Sequence, residues 1–160
     1  MKADSINSEG QDEYTVKALF VYNFIKHIEW PAPKNQSSTF TISVLGNSEV
    51  TGKLEALLKG RKIFDKTFEI RVCNNLDETA NSQIIYISKS QSEKISSLLE
   101  KLSGKGVLII AEDRNMAARG ACINIIQSNN HMRFELNESA LKKEGLKISN
   151  QLLELATVVK

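Results

Sequence analysis

From Glu13 to Trp30 the positions Val16, Leu19, Phe20, Asn23, Phe24, His27 and Ile28 recur at helical spacing, and Val21 and Ile25 add apolar residues on the remaining flank. This predicts a helix covered on most of its sides. Pro31 and Pro33 end it, because the residue before a proline is driven out of the helical region. Lys34 to Ser38 reads as a polar loop. Phe40, Ile42 and Val44 then alternate with Thr41 and Ser43 as a strand that runs into Gly46 and Asn47, and Val50, Leu54, Leu57 and Leu58 mark a short helix over Val50 to Leu58. Phe68, Ile70 and Val72 form a second alternating strand. Ile84 to Ile87 is a third and nearly all apolar. Ile95, Leu98, Leu99 and Leu102 predict the helix between it and the next strand, Gly106 to Ala111. Continuous apolar strands joined through helices imply a sheet buried on both faces, hence at least partly parallel.

After Glu112 the pattern changes. A loop carrying Arg114 and Arg119 leads into two short strands, Ala121 to Gln127 and Met132 to Leu136, and Asn129 and Asn130 between them signal a hairpin. A helix follows from Glu138. A second starts at about Ser149, with Ile148, Leu152, Leu155 and Val159 on one stripe, Leu153 and Ala156 beside it, and Gly145 separating the two helices. No internal repeat, linker or low-complexity tract interrupts this order. The expected architecture is α/β, a three-layer sandwich around a mixed central sheet of about six strands, with helices at both ends of the chain. Residues 1–12 are expected to be a disordered or added N-terminal segment, and 13–160 a single domain.

Length and composition agree with one domain: 160 residues, 17.9 kDa, 41% hydrophobic and 25% charged. Such a chain buries about 70% of the surface its unfolded form exposes, enough for a core without metal or disulfide staples. The formal charge of +2 is spread without a block of like charges, so composition makes no case for nucleic acid. The longest apolar run, Gly106 to Ala111, has the length of a strand and falls far short of the roughly 20 residues that cross a membrane. Met1 to Asp12 is polar and lacks the apolar centre of a secretory signal, which suggests a mature or trimmed chain with a Met in front.

Candidate chemistry is sparse. Gly46 and the Gly52-Lys53 pair resemble a phosphate loop, but that loop needs four residues between its glycines and a hydroxyl after the lysine; here five intervene and Leu54 follows. A plain strand-to-helix turn is the better reading. His27 and His131 are far apart, no Gly-x-Ser-x-Gly turn occurs, and no close Cys pair is present, so neither a catalytic triad nor a metal site is expected. No cofactor is expected either.

In the last strand Met132, Phe134 and Leu136 must share one face and Arg133, Glu135 and Asn137 the other. That polar stripe is either a solvated sheet face or a ligand or partner site, in which Arg133 offers a fork of donors to a carboxylate or phosphate and Arg119 reaches the same end of the sheet. The alternative is an enzyme or a nucleotide- or phosphate-binding sensor domain that uses the loops beyond the carboxyl ends of the strands, near Gly46 and Asp113, with Asp113, Arg114 and Arg119 as ligands. Cys73 and Cys122 lie on the less apolar sides of their strands; they are either two half-buried thiols or, if the strands are neighbours, a disulfide.

Several segments together resemble the YfiR family of bacterial periplasmic regulators. They are Lys17-Ala18, Asn23-Phe24, Glu29-Trp30-Pro31 and Phe40 to Gly46, then Ala117-Ala118-Arg119-Gly120, Arg133-Phe134-Glu135-Leu136-Asn137, Gly145 to Ser149, Gln151-Leu152-Leu153 and Leu155-Ala156. They cover about residues 13 to 158 in order. The resemblance implies a periplasmic α/β protein whose signal peptide has been removed, and one without catalytic activity. Its best-known relative binds the periplasmic sensor part of an inner-membrane diguanylate cyclase and holds it inactive; release raises cyclic di-GMP and favours biofilm. A sensor kinase or other receptor is the alternative partner, a homodimer is a further expectation, and a small-molecule ligand that shifts partner-competent states is a third reading.

The family motifs fall on Trp30, Arg119, Arg133, Glu135, Asn137 and Ser149. Asn137 is equally suited to capping the helix that starts at Glu138, and Trp30 to core packing at the end of the first helix. Ala121 stands where a second glycine is usual, and there are two cysteines where redox-regulated members have more, which puts control by disulfide exchange in doubt.

Overall fold

A computed structural model describes residues 6–7, 12–31 and 38–159. Pro33, most of the loop expected at Lys34 to Ser38, and most of residues 1–12 lie outside the described residues. In chain order the elements are β1 (Ile6–Asn7), α1 (Glu13–His27), β2 (Ile28–Glu29), β3 (Thr39–Leu45), α2 (Val50–Leu58), β4 (Lys62–Ile63) and β5 (Lys66–Cys73). A 3-10 helix (Leu76–Thr79) leads to β6 (Ile84–Ile87), and a second one (Lys89–Lys94) runs into α3 (Ile95–Leu102). Then come β7 (Leu108–Ala111), β8 (Ile123–Ser128), β9 (His131–Asn137), α4 (Glu138–Lys143), β10 (Lys147–Ile148), α5 (Asn150–Leu155) and β11 (Thr157–Val159).

The large sheet has the order β1-β9-β8-β7-β6-β3-β5-β4, with β11 added alongside β9, while β10 and β2 make a separate two-stranded ribbon. Strands β5, β3, β6, β7 and β8 run parallel to one another, while β4 pairs antiparallel with β5 and β9 returns antiparallel to β8. The sheet is mixed, and short margin strands extend it beyond the six expected. After α2 the chain adds β5 on one side of β3, and β6 then falls on the other side, so the topology reverses between β3 and β6.

Two apolar layers explain the sandwich. On one face α1, α2 and the C-terminal helices cover Phe40, Ile42, Val44, Ile84, Tyr86, Ile110 and Phe134. Phe24 and Phe134 meet edge to face with centroids 4.9 Å apart, and Phe20 and Phe134 at 5.7 Å, each pair adding about 0.5–1.5 kcal/mol beyond its buried area. On the other face Ile95, Leu98 and Leu102 of α3 pack on Ile85, Ile87, Ile109 and Ala111. Strands β6 and β7 are buried along their whole lengths, as apolar strands between helical layers must be.

The differences from expectation have local causes. Helix α1 stops at His27, before Trp30, because Ile28 and Glu29 pair with Ile148 and Lys147, and the Ser149 N–H donates to the His27 carbonyl. The terminal apolar stripe breaks after Leu155: Thr157–Val159 leaves the helix to pair in parallel with Glu135–Asn137. Within the N-terminal segment, Ile6 and Asn7 pair with Met132 and His131, and Asp12 caps α1 through the Tyr14 N–H. The hairpin turn forms as the Asn pair requires, with Asn129 and Asn130 both at positive φ (51° and 64°).

The disulfide alternative is overturned. Cys73 ends β5 and Cys122 directly precedes β8, with β3, β6 and β7 between those strands, which at about 4.8 Å per strand separates them far beyond the reach of a disulfide. Both are free thiols, fully buried rather than half-buried.

Candidate functional site

The carboxyl ends of the parallel strands converge on Gly46, Ser88 and Glu112, where folds with a topological switch usually bind ligands. Here the chain fills that crevice itself. Gly46 has φ +92°, and a Cβ on it would come within 2.6 Å of Gln91 Cγ, so the glycine exists to let Gln91 lie across the strand end.

Beside it lies a buried charged cluster that links α1 to the sheet. Lys17 Nζ, on the face of α1 turned to the strand ends, donates to Glu13 at 2.7 Å and to Glu112 at 2.9 Å. Glu112 also accepts from the Tyr86 hydroxyl and, at 2.9 Å, from the Lys89 N–H. The Lys17 and Glu112 side chains are only 8% and 5% exposed. Burial disfavours the Lys17 ammonium, but the two carboxylates outweigh it and its pKa rises. Burial, reinforced by the Glu112 charge, pushes the Tyr86 phenol well above its usual range. Lys17 therefore stays charged and Tyr86 stays protonated. The cluster works as a latch between α1 and the sheet. Next to it Asp113 accepts from Ser92 Oγ and the Arg114 N–H, both at 2.8 Å, and these bonds hold its carboxyl below the usual value.

The polar stripe lies on the α3 face. Asn124 of β8, fully buried, sits opposite Glu135 of β9. Its Nδ2 donates to Glu135 Oε1 at 3.1 Å and to the Asp113 carbonyl at 2.7 Å, while its Oδ1 has no hydrogen-bond partner. Asn137 Nδ2 donates to the Ala117 carbonyl at 2.7 Å, and Asn137 Oδ1 accepts from the Ala140 N–H at 3.0 Å, capping α4. Glu135 and Asn137 thus fasten the 112–121 segment and the start of α4 to the sheet. Arg133, on the same stripe, and Arg119, on the fastened segment, are exposed; the Arg119 Nη1 lies 3.6 Å from Met116 Sδ.

The other two motif residues lie elsewhere. Trp30 meets Phe40 edge to face at 5.1 Å and donates from Nε1 to the Gln83 carbonyl at 3.1 Å, a packing role. Ser149 caps α5 through the Leu152 N–H and lies 3.1 Å from His27 Nδ1, tying the end of α1 to the C-terminal helices. Sequence reasoning missed Lys17 and Glu112. The available signal was a lysine between Val16 and Ala18 on a helix read as covered on most sides, and a carboxylate directly after an apolar strand.

Two cavities open near these elements. One of about 390 Å³ is lined by Leu99, Ile109, Gly120, Cys122, Asn137 and Lys143; burial raises the Cys122 thiol to about 12. The other, about 510 Å³, runs along β5 between Leu58, Arg61, Phe68 and Ile70. Among the described residues no helix is long and apolar enough to cross a membrane, and no group of three or more His, Cys, Asp or Glu is placed to hold a metal ion.

The sequence pattern of the YfiR/HmsC-like family matches residues 14–157. No curated protein matches significantly. Among solved structures, the ABC domain of Streptococcus pneumonia in complex with L-Trp superposes with a TM-score of 0.56 at 12% identity, over 75% of this chain and 55% of that one. A conserved domain protein from Vibrio cholerae O1 biovar El Tor gives 0.57 at 10% identity, over 94% of this chain and 61% of that one. This chain therefore spans little more than half the length of either, and likeness at these identities establishes a shared fold alone.

Proposed function

This chain belongs to the YfiR/HmsC-like family, and on that premise we propose that it is a non-catalytic periplasmic regulator that binds a membrane signalling protein, a diguanylate cyclase, and represses it. The observation that carries this reading is the filled strand-end crevice. Gln91 lies across Gly46, and Lys17, Tyr86 and Lys89 satisfy Glu112, so the place where an α/β enzyme holds substrate is taken up by the chain's own side chains. Protein contact then falls to the exposed groups. Arg119 and Arg133 stand on a base held by Asn137 and by the Asn124–Glu135 bond, and they suit an acidic surface on the partner.

Photo-crosslinking from position 133 in intact cell envelopes, with mass spectrometry of the product, tests this reading. Recovery of a membrane diguanylate cyclase, together with a rise in cyclic di-GMP when Arg119 and Arg133 are both replaced by Ala, supports it. Recovery of a sensor kinase instead keeps the regulator and replaces the cyclase. No crosslink from well-labelled envelopes, with unchanged cyclic di-GMP, refutes it.

The 390 Å³ cavity favours a second reading, in which a small molecule with an apolar body and a carboxylate or phosphate sits between Leu99 and Ile109 with its charge toward Lys143. Such a ligand would act by binding one partner-competent state more tightly than the other. Saturable calorimetric binding lost in Lys143→Glu supports it; unchanged affinity removes that cavity from the account.

A further inference from the structure

Among the described residues six other than glycine have positive φ, and four of them are asparagines, a side chain that tolerates that conformation. Asp65 is the fifth. The exception is Phe64, at φ 53°, the first of the two turn residues that join β4 to β5. The hairpin of β8 and β9 has a two-residue turn of the same kind and fills it with Asn129 and Asn130. A bulky side chain kept where the backbone disfavours it points to a use for that side chain. Part of the use is internal: Phe64 lies 6.5 Å from Trp30 and 6.4 Å from Phe40, centroid to centroid, at the end of an aromatic cluster that continues to Phe68. Phe64 nevertheless remains 55% exposed, more than any other large apolar residue among those described.

Positive charge gathers around that turn. Residues 59–66 hold Lys59, Arg61, Lys62 and Lys66 against Asp65, a net +3 in eight residues, whereas the whole chain carries +2. Lys59, Arg61 and Lys62 are exposed and line the 510 Å³ groove, whose apolar lining is Leu58, Phe68 and Ile70. Helix α1 adds Lys26, also exposed. Its Nζ lies 4.7 Å from the centre of the Tyr22 ring and the Arg61 guanidinium 5.1 Å from the same ring, so one aromatic supports both cations. Within the groove and the turn the acidic side chains are Glu55 and Asp65. Phe68 belongs both to the groove and to the aromatic cluster, which makes the apolar turn and the basic groove one surface.

We propose that this surface docks on a lipid bilayer that carries anionic phospholipid. Phe64 enters the boundary between headgroups and acyl chains, and Trp30, held by its bond to the Gln83 carbonyl, lies beside it at headgroup depth. Lys26, Lys59, Arg61 and Lys62 meet the headgroup phosphates. Charge complementarity selects an anionic surface. The exposed ring at a hairpin turn selects lipid over an acidic protein, because a single aromatic enters a fluid layer without a preformed pocket to receive it. The hairpin lies at the amino ends of the parallel strands and at the margin of the sheet opposite β9, so contact there leaves Arg133 clear of the bilayer. The proposal is independent of the identity of any membrane partner.

Flotation of the full chain with vesicles tests it, with phosphatidylcholine alone set against phosphatidylcholine containing about 30% phosphatidylglycerol. The native chain should float with the anionic vesicles, stay behind with the neutral ones, and be released as salt rises to about 0.5 M. Trp30, the single tryptophan of the chain, reports the contact: lipids spin-labelled at the headgroup should quench its emission. Lys59→Gln and Lys62→Gln should each weaken binding about fivefold. Phe64→Asn should weaken it at least about fivefold, while Phe64→Leu keeps most of it. The urea midpoint of each variant is measured in parallel, since Phe64 also packs on Trp30 and Phe40. Absence of flotation with anionic vesicles overturns the proposal, and an acidic protein then caught by a photo-crosslinker at position 64 takes the surface instead. Equal flotation with neutral vesicles overturns it too, as does binding indifferent to Phe64→Asn and to both lysine variants. Flotation as expected from a chain that gives no crosslink at position 133 supports the membrane surface and counts against the regulator. A cyclase crosslinked at 133 with no vesicle binding overturns the membrane surface and leaves the regulator standing.

Discussion

Removing the Lys17 ammonium is the sharpest test of how α1 is held to the sheet. In Lys17→Met the stem keeps its apolar contacts, while Glu112 loses a partner at 2.9 Å and remains buried. Breaking a buried ion pair from one side lowers stability by about 3–5 kcal/mol, because the remaining charge is left uncompensated. Glu112 keeps the Tyr86 hydroxyl and the Lys89 N–H, so the low end applies, about 3 kcal/mol. For a chain of this length that is a fall in Tm of roughly 6–12 °C. Urea unfolding with matched slopes measures it, and Lys17→Met combined with Glu112→Gln should recover at least about 1 kcal/mol of the summed single losses.

The pH dependence has a definite sign. The folded Lys17 pKa lies above its unfolded value of 10.5, so the latch is fully present below that value and is lost as pH rises through the folded one. The gap between native and variant stability should therefore be level from about pH 7 to 9 and close as pH rises through the folded Lys17 value. A loss below about 1 kcal/mol for Lys17→Met, or a gap that persists or widens in strong alkali, would refute the reasoning.

Further predictions concern the same elements. Gly46→Ala should destabilise by about 1–3 kcal/mol, through both its φ of +92° and the approach to Gln91, and Gly46→Ala in a Gln91→Ala background should recover only the second part. Thiol titration of the native protein without reductant should find both cysteines slow to react, and denaturation should reveal two thiols; none would contradict the separation of their strands. Cys122, near 12 when folded against an ordinary 9.0, ionises first in the unfolded chain, so native stability should fall as pH rises above about 9 and fall less in Cys122→Ala. Asn137→Ala should lower stability by about 1–2 kcal/mol through the lost cap, and hydrogen exchange should quicken in residues 114–120 as the bond to Ala117 goes. Arg119→Ala and Arg133→Ala, both exposed, should stay within about 0.5 kcal/mol of the native chain.

Elements specified by local periodicity were legible in the sequence. Helices α2 and α3 and strand β6 run over the residues their apolar spacing predicts, and the Asn129–Asn130 turn declares the hairpin by itself. What periodicity did not carry is pairing at the margins. Strands β2 and β10 are two residues each, too short to show a period, and exist because Ile28–Glu29 meets Lys147–Ile148 from far along the chain. β11 continues an apolar stripe that reads as helix; the unpaired edge of β9 decides otherwise, which is tertiary context overriding local pattern. The chemistry follows the same rule. Alternation alone placed Arg133, Glu135 and Asn137 on one face, yet the Lys17–Glu112 contact spans 95 positions and leaves no local trace beyond a charge in an apolar setting.

That contrast also separates the motif residues from one another. Trp30, Glu135, Asn137 and Ser149 each have polar atoms in bonds internal to the fold: to the Gln83 carbonyl, to Asn124, to Ala117 and Ala140, and to His27 and Leu152. A residue used in this way helps hold the fold, and its replacement changes stability whatever the protein binds. Arg119 and Arg133 are of another kind: their guanidinium groups are exposed, and the fold does not depend on them. A motif read from sequence mixes the two kinds, since both are fixed in position along the chain. The structure separates them by where each polar atom is satisfied: the two arginines are the motif residues left exposed, beside the Asn124–Glu135 and Asn137–Ala117 bonds, and so the ones the proposed partner contact would use.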